Sequence, residues 1–185
     1  MALEKLPFKR LQHLIGLHLS TIEDPGTQRV IHELAASKKR GYLTKPDLVK
    51  VCRWKSPRAL RHIRRNRAAT IERITQAAFA TRSEQKRLAL LMSLHGVSVP
   101  MASSILTLTN PARYGVIDIR VWQLLFEMRA VDSNRAGTGF DFKQWNRFLI
   151  VIRSFGKMYR VTPRDIERTL FNVHALYQKG TLYNN

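Results

Sequence analysis

One carboxylate stands out for what surrounds it. Asp118 follows the apolar pair Val116-Ile117 and opens a helical pattern, Ile119-Arg120-Val121-Trp122. Upstream, a tight turn at Gly96-Val97-Ser98 separates two apolar-periodic runs, with Leu88, Leu91 and Met92 before it and Met101, Ile105 and Leu108 after it. Pro100 falls in the first turn of the second run, where a missing N–H costs nothing, and Ser98 is placed to cap that run. Two helices joined by such a turn present backbone N–H groups to a phosphate. A carboxylate fixed beside that grip can stabilise positive charge that develops on a bound substrate, or activate water. Asp118 is equally well placed as a helix N-cap, and the two roles are compatible.

The second chemical signal is charge. Between Lys38 and Arg82 fourteen Lys/Arg stand against two acids, Asp47 and Glu72, a net of +12 over 45 residues in a chain of net +19. A merely solvated helical surface interleaves both signs, so a one-sided stretch points to a polyanionic partner, most simply nucleic acid. Lys55, Arg58, Arg61, Arg64 and Arg65 are assigned to a nucleic-acid backbone, together with the hairpin residues Gly96, Val97, Ser98, Pro100, Met101 and Ala102. Candidates for a base pocket are Trp54, in the basic run Arg53-Trp54-Lys55, Trp122, one helical turn past Asp118, and His95 at the hairpin tip. Each has a plainer alternative: core packing for the tryptophans, simple exposure for His95. Trp145, in an apolar run, is assigned to the core.

Over about residues 84–128 this pattern resembles the helix-hairpin-helix DNA glycosylases of the endonuclease III superfamily. Their signature is Leu-Pro-Gly-Val-Gly, a small-residue helix, then Val-Asp before the next helix. Here the hairpin reads Leu94-His95-Gly96-Val97-Ser98, the helix carries Ala102-Ser103-Ser104, and the aspartate is Asp118. Two positions depart. Ser98 replaces the second glycine, and Pro100 stands where lyase-type members carry a Schiff-base lysine. The resemblance implies an all-α, two-lobed fold with a DNA cleft between the lobes. It also implies base excision from double-stranded DNA, with a flipped damaged, mismatched or modified base and Asp118 as the catalytic residue. Proline forms no Schiff base, so the expected enzyme is a monofunctional DNA glycosylase that hydrolyses the N-glycosidic bond without a lyase step. The alternative is a non-catalytic helix-hairpin-helix DNA-binding module. A metal-dependent nuclease is disfavoured because no second carboxylate neighbours Asp118 to hold a metal, and the six histidines lack metal-ligand spacing. No cofactor is expected.

These residues must be positioned by helices, since no segment shows the two-residue period of a strand. Helical runs are expected from Phe8 to Ser20 with Leu11, Leu14, Ile15 and Leu17 on one face, and from about Val30 to Arg40, closed by Gly41. Thr44 with Pro46 and Asp47 reads as a helix start, Ser56-Pro57 as another, and Ser83 and Thr162-Pro163 as two more. The last helix should bury Ile166, Leu170, Val173 and Leu176, and residues from Gly180 onward should fray. The expected division is residues 1–37 with 140–185 as one helical lobe and 38–128 as the hairpin lobe, joined by a glycine-bearing loop over 129–139. One cysteine, Cys52, excludes an internal disulfide and a cysteine-ligated iron–sulfur cluster. With neither a transmembrane-length apolar run nor a signal-peptide core, the protein is expected to be intracellular and off the membrane, in the cytoplasm or with the nucleoid if the source is prokaryotic, and monomeric.

Overall fold

A computed structural model describes residues 6–178. Among them the chain forms ten α-helices and no β-strand: α1 Leu11–His18, α2 Pro25–Arg40, α3 Lys45–Lys55, α4 Leu60–Ile63, α5 Ala68–Ala80, α6 Glu84–Met92, α7 Val99–Thr109, α8 Ile119–Glu127, α9 Phe142–Tyr159 and α10 Pro163–Tyr177. A single 3-10 turn, Pro57–Ala59, leads into α4. Among the described residues no helix is long and apolar enough to cross a membrane.

The helix starts follow from local chemistry. Thr44 and Asp47 close a capping box on α3, as Thr162 and Asp165 do on α10. Ser83 caps α6 by accepting from the Lys86 amide. Each such cap satisfies amides that the helix itself cannot, worth about 1 kcal/mol. Two starts have no counterpart in the sequence reading: Asp24 caps α2 ahead of Pro25, and Asp141 forms a capping box with Gln144 on α9. One expected cap is missing. The Ser98 side chain makes no bond to the first turn of α7; only its carbonyl joins that helix, accepting from the Ala102 amide.

The centre of the fold is α7. Val99 and every residue from Met101 to Leu108 are buried, and α2, α3 and α6 pack around it. Small residues make this possible, because Ala102, Ser103 and Ser104 let neighbouring backbones approach. The hydroxyls of Ser103 and Ser104 both donate to the Pro100 carbonyl, so their burial leaves no unpaired donor. The apolar core is continuous from Leu11 to Val173, with Trp122, Trp145 and Phe148 its largest fully buried members.

Several elements differ from the sequence expectation. The first helix is shorter than Phe8–Ser20, and Leu17 is 66% exposed on its outer side. The helix expected after Ser56-Pro57 is only the 3-10 turn and the four residues of α4. Arg64 and Arg65 therefore lie in the turn that follows rather than on a helical face. Leu176 projects outward from the last turn of α10, 69% exposed, because burial of that helix ends at His174. The boundary expected at 37/38 falls inside α2, which packs on α3 and α7, while α8 packs on α10. The loop over 129–139 is fastened to α8: the indole N–H of Trp122 donates to the carbonyls of Ser133 and Asn134, and Gln123 donates to that of Ala136. Residues from Gly180 onward, where fraying is expected, lie outside the described residues.

Candidate active site

Asp118 is held at the mouth of α8 with an extended backbone, and its Oδ1 accepts from the Val121 amide at 3.1 Å. The segment that delivers it is pinned from two sides. The Ile117 amide donates to Ser103 Oγ at 3.2 Å, tying Asp118 to the helix that follows the hairpin. Gly115 lies so close to α10 that an added Cβ would come within 2.8 Å of Glu167 Cβ and of Ile152 Cδ1. Any side chain at 115 would therefore push the segment away from α10.

The remaining oxygen of Asp118 faces a lysine. Lys55 is the last residue of α3, and its Nζ stands 3.4 Å from Asp118 Oδ2. Both side chains are largely shielded, 19% and 15% exposed. The pair separates two hollows. One, of about 320 Å³, is lined by the hairpin residues Gly96, Ser98, Pro100 and Met101, by Arg58, and by the loop Gly137–Phe140. The other, of about 560 Å³, is lined by Trp54, Thr27, Glu23, Arg164, Glu167 and Phe171 among others. Among the described residues, Lys55 and Asp118 are the only two that line both. A further hollow of about 370 Å³, near Lys38, Phe79 and Tyr114, shares no residue with either.

The wall of the larger hollow is polar and tightly bonded. The indole N–H of Trp54 donates to Thr27 Oγ1 at 2.9 Å, which fixes the plane of a half-buried ring. The guanidinium of Arg164 lies 5.8 Å from that ring's centre and is bound to Glu23 and Glu167. Arg168 bonds Glu23 as well, at 2.9 Å. Burial pushes the Glu23 carboxyl up, but Arg164 and Arg168 outweigh it and hold the group below the usual carboxylate range. At Glu167 the balance is reversed. Complete burial raises its carboxyl and the nearby Asp118 raises it further, against the pull of Arg164. The result is a buried acid–base ladder facing an open hollow.

The hairpin itself is built by two devices. Gly96 has φ +78° and sits where a Cβ would be 2.8 Å from His62 Cβ, so both conformation and space require glycine. Asn66, 3% exposed, clamps the turn to α4: its Nδ2 donates to the carbonyls of Ile63 and His95, and its Oδ1 accepts from the His95 amide.

The expected site residues therefore separate. Asp118, Lys55, Arg58, Gly96, Ser98, Pro100, Met101 and Trp54 converge on the two hollows. Arg61, in α4, and Arg64 and Arg65, in the turn after it, are exposed beside the hairpin. Val97 and Ala102 are buried, at 6% and 0% exposure, so their side chains face the core rather than a ligand. Trp122 lines neither hollow. It is 1% exposed, edge-on to Phe140, and its indole is spent on the 129–139 loop. Nor does His95 line either hollow; it is exposed at the hairpin tip, and its bonds run through its backbone to Asn66. Asn66, Thr27, Glu23, Arg164 and Glu167 escape the sequence reading. A faint signal exists for Arg164, Glu167 and Arg168, whose charges of both signs recur at helical spacing. Compared with protein-family models, curated proteins and solved structures, the chain matches none of them.

Proposed function

We propose that the chain is a DNA N-glycosylase that binds duplex DNA through the hairpin and the basic stretch and releases the base of a flipped nucleotide. The supporting observation is the location of Asp118, at the junction of a hairpin-lined hollow and a polar hollow. In this reading the helices around the hairpin form one lobe and α1, α9 and α10 the other, with the DNA cleft between them. Phosphates lie along the hairpin side, where α7 has no side-chain cap and its first turn can serve an anion. The flipped base enters the polar hollow beside Trp54, a flat surface for stacking. Asp118 then faces the sugar and stabilises its developing positive charge. Pro100 offers no amine, so on the hairpin's own residues release is hydrolytic.

The test is a panel of duplexes carrying damaged, mismatched or modified bases, assayed in chelator for abasic sites that break in alkali. Wild type is expected to release one class of base. Asp118→Asn is expected to lose on the order of a hundredfold or more in rate, with folding and DNA affinity kept, since asparagine still caps a helix. Full activity in that variant refutes the assignment. A second reading has its own support: both oxygens of Asp118 are engaged, by the Val121 amide and by Lys55, as in a purely structural cap. Tight DNA binding with no base released from any substrate favours this binding-module reading.

A further inference from the structure

We propose that Lys55 is the amine that attacks C1′ of the deoxyribose, so that base release is coupled to strand cleavage by a lysine outside the hairpin. This rests on reading the cleft as the seat of a flipped nucleotide. Pro100 takes away the expected nucleophile, and nothing in the sequence nominates another. The fold does. Lys55 Nζ is 3.4 Å from Asp118 Oδ2, and these two residues line both hollows, so amine and carboxylate would meet the same sugar atom. The other lysines of α3 are held elsewhere: Lys45 donates to the Arg64 carbonyl, and Lys50 pairs with Glu33. Arg58, the other basic residue that lines the hairpin hollow, cannot give up a proton to act as a nucleophile.

The steps balance without an outside reagent other than water. Asp118 takes one proton from the Lys55 ammonium. The freed lone pair bonds to C1′ as the C1′–base bond breaks, and the departing base collects that proton. A second proton passes from nitrogen to O4′ as the ring opens, leaving an iminium between Nζ and C1′. Asp118, ionised again, removes a C2′ proton; the resulting enamine expels the phosphate oxygen from C3′. Water then hydrolyses the conjugated iminium and returns the amine. At a preformed abasic site the same iminium forms from the open aldehyde with loss of water.

A duplex with one preformed abasic site, mixed with the protein and borohydride, tests this without knowledge of the natural base. Hydride adds to the iminium carbon and fixes a secondary amine. Wild type is expected to give one covalent complex, carried on the tryptic peptide Trp54–Arg58, in which the modified Lys55 resists cleavage. Lys55→Arg keeps a positive charge beside Asp118 and forms no imine, so it should bind the abasic duplex as wild type does and lose trapping. Lys55→Ala should lose it too, while Lys143→Ala, a change near the start of α9 and away from both hollows, should trap at the wild-type rate. The assignment is overturned if wild type yields no complex, if the adduct maps to another amine, or if Lys55→Arg traps as fast as wild type. Alkali-revealed base release is scored separately. Release without trapping leaves the glycosylase standing and removes Lys55. Trapping through Lys55 without release from any base keeps the lysine and removes the glycosylase.

Discussion

Asn66→Ala should destabilise the protein by about 2 kcal/mol and loosen the hairpin. The figure follows from which partners are stranded. Asn66 makes three side-chain hydrogen bonds from a position 3% exposed. The Ile63 carbonyl also accepts from the Asn66 amide at 3.1 Å, so it keeps a partner when the side chain is cut back. The amide and carbonyl of His95 lose theirs, and at about 1 kcal/mol each these two bonds set the cost. Urea unfolding at pH 7 reads it directly as a lower midpoint at unchanged slope. Asn66→Asp sharpens the test. Its carboxylate can still accept from the His95 amide, yet it turns a second oxygen toward two carbonyls and buries a charge, so this variant should be no more stable than Asn66→Ala. Both should bind duplex DNA more weakly, because the turn is no longer held against α4. A loss below about 0.5 kcal/mol in Asn66→Ala, or an Asp variant clearly more stable than the Ala variant, refutes the clamp.

Three other perturbations probe separate parts of the molecule. Gly96→Ala meets both a positive φ and a 2.8 Å approach to His62 Cβ, and should cost roughly 2–4 kcal/mol in the same unfolding assay; a silent substitution would mean the hairpin moves freely. Reversing charge at the exposed Arg61, Arg64 and Arg65 should leave folding intact and flatten the dependence of log affinity on log salt by up to about 2.7, at about 0.9 for each phosphate no longer neutralised. An unchanged slope places the DNA face elsewhere. His174 is buried with Nε2 3.3 Å from Gln123 Oε1, and burial, with Arg120 adding to it, pushes it down to about 4. The unfolded chain therefore binds the proton first. The stability this residue contributes is complete above its unfolded value near 6.5 and is lost as pH falls toward 4, about 3 kcal/mol in all. Unfolding of wild type and His174→Gln at pH 7 and pH 4.5 should show the variant gaining on wild type at the lower pH; a constant difference rules out a buried neutral histidine.

Helices and their starts were legible because their signals are local. Thr44-Lys45-Pro46-Asp47 and Thr162-Pro163-Arg164-Asp165 fix their own first turns within four residues, and the apolar spacing of α7 marks it as central. Ser98 shows the limit of such reading, since a residue of the right type need not turn its hydroxyl toward the helix. Trp122 shows another: one helical turn past Asp118 is close in sequence, yet a 129–139 loop folded back over α8 claims the indole. The candidate site was legible in Asp118 and the glycine turn. Its remainder depends on pairs far apart in the chain, Lys55 with Asp118 and Glu23 with Arg164, which no local period encodes. Lys55 was visible only as one more charge in a basic run. Its distinction comes from standing at the end of α3, where that helix meets the mouth of α8.

The bonds between Glu23 and α10 bear on the order in which the molecule is made. Arg164 and Arg168 reach a partner some 140 residues earlier in the chain, and Ser20 joins them through Thr169. Helices α3 to α7, by contrast, pack largely on one another and on α2, and can settle while synthesis continues. A nascent chain would thus present the hairpin before the wall of the polar hollow exists. On the proposed function, the grip on DNA and the seat for a nucleotide would form at different moments on the ribosome. By the same reading, a chain stopped short of α10 would carry the hairpin without the seat for a nucleotide.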